Sequence, residues 1–133
     1  MPFEIAEEHD YLVIRLTGVV APADLVGMAE VLREYEERSH PRDRLIDLTA
    51  IESTTIAYAE VAELADNRRK LPFAAWIRSA ILTARPMQYG FARMFQTLND
   101  NPRIEIRIFN DRLAAMNWIR PGPLPGPRIA SRT

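Results

Sequence analysis

Residues 79–100 read SAILTARPMQYGFARMFQTLND. The run Ala80 to Ala84, apolar but for Thr83, has the pattern of a strand buried on both faces, and Arg85-Pro86 then breaks it ahead of a strongly patterned helix. Pro86 suits the first helical turn, where its missing N–H costs nothing. On a helix turning about 100° per residue, Met87, Phe91, Met94, Phe95 and Leu98 share one face and read as core. Tyr89, Arg93 and Gln96 fall on the opposite face, which packing does not need. That face is a candidate functional surface.

Working outward, Phe3 to Glu7 reads as a short edge strand. The polar corner Glu8-His9-Asp10 turns it into Tyr11 to Thr17, a denser apolar strand, and Gly18 is expected to end that hairpin. Ala21-Pro22-Ala23-Asp24 has helix-start chemistry, with an early proline and a carboxylate facing the helix dipole. Leu25, Met28, Ala29, Leu32 and Tyr35 then share an inner face that runs to Ser39-His40-Pro41. Arg44 to Thr49 is a compact strand and Ala50 to Thr54 a loop. A second helix is expected from Thr55 to Lys70, with Ser53, Thr54 and Thr55 supplying hydroxyls at its start. Downstream of Asn99-Asp100-Asn101-Pro102, the alternation of Ile104 to Phe109 marks a strand with one wet face near a sheet edge. Asp111 can cap a last helix, Arg112 to Trp118.

The order ββαβαβαβα implies a single α/β domain over residues 1–119, a mixed sheet that is parallel after its opening hairpin and is covered by helices through right-handed crossovers. Residues 120–133 form a Pro/Gly-rich C-terminal tail that is read either as disordered or as a polyproline-type segment docking on a neighbouring molecule.

At 133 residues the chain is long enough to bury a core without staples, and it contains no cysteine, which excludes disulfides, thiolate metal sites and a cysteine nucleophile. The acidic start MPFEIAEEHD lacks signal-peptide features and no apolar run approaches a membrane span, so a cytoplasmic location is expected. Charge is unevenly divided: residues 1–66 carry 15 acidic and 5 basic side chains, net −10, and residues 67–133 carry 3 acidic and 12 basic, net +9. The two halves either compensate as ion pairs on one shared surface or leave a polar molecule that favours self-association or an anionic partner. Sixteen of the seventeen cations are arginine, yet a pI of about 6.1 argues against a nucleic-acid partner.

The RLIDLT strand leading to a hydroxyl-rich helix start, the ILTARPMQYGFARMF segment, and the closing IRIFNDRLAAMNWI together resemble the SpoIIAA-like family over residues 3–119, most distinctively in Gln88-Tyr89-Gly90-Phe91-Ala92-Arg93-Met94. That family is related in fold to STAS domains (sulfate transporter and anti-sigma-factor antagonist) and to CRAL-TRIO lipid-binding proteins. The resemblance implies a small cytosolic, non-catalytic domain. In phosphorylated STAS proteins a strand ending in Asp leads to an Asp-Ser-Ser/Thr-Gly motif and a phosphorylated serine at the next helix start. This chain has Asp47 and then Ser53, Thr54 and Thr55, without the motif; those hydroxyls are read as a phosphorylation site or as simple helix caps.

Chemistry-bearing residues are otherwise sparse. His9 and His40 sit in turns with no second metal ligand at suitable spacing, the five glycines are scattered, and no nucleophile elbow surrounds a serine, so neither enzyme activity, cofactor nor metal is expected. The carboxyl ends of the strands would place Asp47, Thr49, Ser53, Thr83 and Arg85 along one rim, with Arg85 positioned to assist an anion. Two functional readings follow. One is a STAS-like interaction module, a homodimer or the partner of a regulatory protein, using Tyr89, Arg93 and Gln96. The other is a carrier of a lipid or small amphipathic anion, held among Met28, Trp76, Met87, Phe91, Met94 and Phe95.

Overall fold

The computed structural model describes residues 2–8, 10–38, 42–69, 76–99 and 102–119. His9, His40, the Leu71-Pro72 break and the tail 120–133 lie outside the described residues. The order is β1 (Phe3–Glu7), β2 (Tyr11–Val20), α1 (Pro22–Arg38), β3 (Asp43–Thr54), α2 (Tyr58–Arg69), β4 (Ile77–Leu82), α3 (Pro86–Leu98), β5 (Ile104–Phe109) and α4 (Arg112–Ile119). The five strands lie in the order β1-β2-β3-β4-β5, with β1 antiparallel to β2 and the remaining pairs parallel.

Because successive parallel strands are spatial neighbours, every right-handed crossover steps in the same direction and delivers its helix to the same face. Ile14, Leu48, Ile77 and Ile81 on that face pack with Leu25, Met28 and Leu32 of α1, Leu64 of α2, and Ala92, Phe91 and Phe95 of α3. The other face is covered by α4, whose Ala115 and Ile119 join Leu45, Ala80 and Leu82 in a second, smaller core. β4 lies centrally between two layers, so all six of its residues are buried, Arg78 and Ser79 included; it holds Ala80 to Leu82 of the expected run and starts earlier, at Ile77.

Two boundaries differ from the sequence reading. Gly18 does not end β2; it adopts φ +70° at a register shift, and the strand continues to Val20. Glycine tolerates that left-handed backbone, so the chain bulges and bends here. The longer β2 offers β3 further pairing partners, Thr17 with Ala50 and Val20 with Thr54, and β3 accordingly runs from Asp43 to Thr54 where a loop was expected. Helix α2 then begins at Tyr58 instead of Thr55, and Glu60 reaches back to accept the Ala57 N–H at 2.7 Å.

α3 is also rotated relative to its hydrophobic pattern. Gln88 and Ala92 are fully buried, Phe91 and Phe95 half-buried, and Met87 is exposed. Small Ala92 lets the helix approach the sheet closely, while Gln88 meets the polar backbone at the strand ends. β5 lies at the sheet edge as expected. Its outward carbonyls accept from α3: Gln96 donates to Ile106 O at 2.9 Å and Asn99 to Ile104 O at 3.1 Å. Covering those acceptors protects the strand against edge-to-edge pairing.

Candidate functional site

Asp47 does not end its strand; it sits within β3 opposite Leu82, the last residue of the shorter β4, and its side chain is 2% exposed. One carboxylate oxygen accepts the Thr49 N–H at 2.9 Å and the Thr49 hydroxyl at 2.6 Å. The other pairs with Arg112 of α4 and lies 3.6 Å from Nε of Arg15. Burial pushes the carboxyl pKa up, but the two Thr49 hydrogen bonds and the Arg112 guanidinium outweigh it, and the net direction is downward. Arg15 is also the cross-strand partner of Glu4. Glu4, Arg15, Asp47 and Arg112 therefore alternate in sign across the sheet, an arrangement that fixes strand register and leaves no net excess charge.

Arg85 turns the other way. Its guanidinium donates to the carbonyls of Ile51 and Glu52, closing the β3 extension against the start of α3. One terminal nitrogen of the guanidinium is thus committed to backbone oxygens, and the side chain remains exposed. Thr83 is buried and donates its N–H to Phe109 O at 2.9 Å. Ser53 and Thr55 are exposed, whereas the Thr54 hydroxyl donates to Val20 O at 2.8 Å and accepts from Ile56 N at 3.0 Å. None of these three caps α2, which starts at Tyr58.

Of the expected rim, Asp47, Thr49, Thr83 and Arg85 gather at the carboxyl end of β4, with Asp47 directed at α4 and Arg85 at the β3 extension. Ser53 lies farther along, paired with Val19. Strand order never reverses, so the crevice that opens at a switch point in other α/β sheets does not form here. Among the described residues no group of three or more His, Asp or Glu side chains is placed to hold a metal, and no helix is long and apolar enough to cross a membrane.

The residue that organises this end of the molecule is one that periodicity missed. The Gln88 amide oxygen accepts the N–H groups of Ala84 at 2.8 Å and Arg85 at 3.1 Å, and its nitrogen donates to Thr49 O at 3.2 Å and Ile51 O at 3.0 Å. All four hydrogen-bonding positions of a fully buried amide are met. A signal was present: a glutamine at the third helical position, behind a breaker and a proline, is the reaching-back half of a capping box. Arg15 and Arg112 carried no such signal, because their convergence on Asp47 depends on the folding of α4 across the sheet.

The outer surface of α3 keeps two of its three expected residues. Tyr89 is 51% exposed and Arg93 is exposed beside it, while Gln96 is tied to β5 and accepts from Arg93. An open groove of about 370 Å³ runs between α3 and the start of α2, lined by Tyr58, Gly90, Arg93, Met94, Thr97 and Leu98. Tyr58 is 61% exposed, and a Cβ on Gly90 would meet, beyond its own helical turn, no atom of the described residues within 4 Å. Inside, an apolar cavity of about 60 Å³ lies between the sheet and α1 to α3; Met28, Phe91 and Phe95 line it, but Met87 and Trp76 are exposed instead.

No family model matches the chain, and no curated protein matches it. Among solved structures, one of an uncharacterised protein of the DUF3478 family from Shewanella loihica PV-4 is similar, with 22% sequence identity and a TM-score of 0.60. The alignment covers 88% of this chain and 91% of that one. That structure is described as having a SpoIIAA-like fold, and the five-strand sheet with its four helices shows the same fold here.

Proposed function

We propose that this protein is a non-catalytic interaction module of the cytoplasm that self-associates through the outer surface of α3. The observation that carries the reading is Gly90. A glycine inside a helix costs about 1 kcal/mol relative to alanine, and nothing among the described residues needs its small size, since the space above it is open. Its value lies in what can approach: a flat spot flanked by exposed Tyr58, Tyr89 and Arg93, residue types that anchor protein contacts once desolvated. A second copy meeting this groove across a two-fold axis is the simplest partner. Phosphorylation of exposed Ser53 or Thr55, near the same end of α2, would add charge beside Tyr58 and tune the contact.

The carrier reading finds little support in the interior, because about 60 Å³ is well below the roughly 300 Å³ at which small-molecule pockets begin. Native mass spectrometry and sedimentation velocity test the proposal. The expected result is self-association of unmodified chains that falls to a lower oligomeric mass, with the chain still folded, in the Tyr89→Ala/Arg93→Ala double variant. A variant with unchanged oligomeric mass, or a wild-type protein that is monomeric at high concentration, overturns it.

A further inference from the structure

A second surface lies on the same face of the sheet, between α1 and α2. These helices follow neighbouring strands and pack side by side, leaving a groove of about 130 Å³ along their first halves. Its floor is apolar, from Val26, Ala29 and Leu64, and Val26 is 55% exposed. Its walls are acidic, from Glu30, Glu60 and Glu63. Arg33 also borders the groove, but its guanidinium is directed along its own helix to Glu37 at 3.6 Å. Glu60 caps α2, while Glu30 and Glu63 make no ion pair among the described residues. An apolar floor between carboxylates matches a basic segment that carries a few apolar side chains.

This chain contains such a segment. Residues 120–133, RPGPLPGPRIASRT, hold Arg120, Arg128 and Arg132, no acidic residue, and the apolar Leu124 and Ile129. Their four prolines lack the N–H groups needed to extend a sheet edge, so recognition falls to side chains. The tail departs after Ile119, which packs in the α4 core, and Trp118 O receives the Arg78 side chain from the start of β4. Its point of exit is therefore at the amino ends of the strands on the α4 face. The groove is on the opposite face, where α1 and α2 leave the carboxyl ends. To reach the groove of its own molecule the tail, about 45–50 Å at most when fully extended, must round the sheet edge and run back to the carboxyl ends of the strands. A neighbouring molecule can present its tail directly.

We infer that residues 120–133 of one copy dock in the α1–α2 groove of a second copy. The division of charge between the acidic first half and the basic second half then serves recognition between chains, with arginines of the tail against Glu30 and Glu63. This contact does not use the α3 surface, and either can fail without the other.

Charge reversal in the full-length Tyr89→Ala/Arg93→Ala chain, where the α3 contact is removed, tests it. One chain carries Glu30→Arg and Glu63→Arg in the groove, the other Arg128→Glu and Arg132→Glu in the tail, and circular dichroism checks that both are folded. By sedimentation velocity at low salt, each reversed chain alone should associate about tenfold more weakly than the unreversed parent, and an equimolar mixture should recover association. Reversed chains that associate like the parent, or a folded pair that fails to recover on mixing, overturn the inference. Should the groove variant not fold, a labelled synthetic peptide of residues 120–133 is titrated into the tail-reversed chain. Saturable binding that weakens at high salt is expected; no binding overturns it. The same peptide should still bind Tyr89→Ala/Arg93→Ala chains, which separates this contact from the α3 surface.

Discussion

Gln88 shows how much of this fold can rest on one side chain. Its four hydrogen bonds join the N-terminus of α3 to the backbone of β3 and to the end of β4, through an amide that is itself fully buried. Gln88→Ala leaves the part-buried N–H groups of Ala84 and Arg85 without their acceptor and removes a donor from Thr49 O and from Ile51 O, the latter still held by Arg85, and should lower the unfolding free energy by about 2 kcal/mol in urea titrations. Asp47 makes a different prediction, one about pH. Its folded pKa lies below the ordinary value of 3.8, so the native state holds its carboxylate more favourably than the unfolded chain does. That stability is fully present above pH 3.8 and is lost as the pH falls from there through the lower folded value. Asp47→Asn should flatten this part of the acid limb of a stability-versus-pH curve, whereas a wild-type slope in the variant would assign the acid sensitivity to other carboxylates. Arg85 shows a role that its charge alone does not announce, since one of its terminal nitrogens clasps two carbonyls of the β3 extension.

Two glycines set the character of their elements, for opposite reasons. Gly18 bends β2 through a positive φ that side chains rarely adopt, and the bend carries β2 and β3 beyond the point where the apolar pattern stops. Gly90 occupies an ordinary helical position with open space above it. Alanine should therefore act in opposite directions. Gly18→Ala is expected to destabilise by about 1 kcal/mol or more through left-handed strain, and Gly90→Ala to stabilise by about 0.5–1 kcal/mol through helix propensity. Paired thermal melts check the signs, and a stabilising Gly18→Ala would mean that the β2 bulge is not held as described. The rotation of α3 follows from its two ends. Gln88 must meet β3 carbonyls at one end, and Gln96 and Asn99 must reach the outer edge of β5 at the other. Amphipathic spacing counts apolar residues and does not see amides that are recruited to backbone oxygens.

At the scale of the molecule, stability should be graded by depth in the sheet. β4 is buried at every position and flanked by β3 and β5, whereas β1 is paired on one side only and exposes Glu4, Ala6 and Glu7. Amide hydrogen exchange is expected to be slowest in β4 and the adjoining half of β3, and fastest in β1. Uniform protection across the sheet would show that it opens as one unit. The sequence by itself determined the order of elements, the buried central strand, the opening hairpin and the wet-faced edge strand, because burial and hairpin chemistry leave local, periodic traces. It also carried the resemblance to a SpoIIAA-like fold and the exposure of Tyr89 and Arg93. Tertiary structure alone decided how far β2 and β3 extend, which face of α3 meets the sheet, and that Asp47 is enclosed by Arg15, Thr49 and Arg112. Those features join residues far apart in the chain, and a hydrogen bond or ion pair between distant segments has no periodicity from which it can be read.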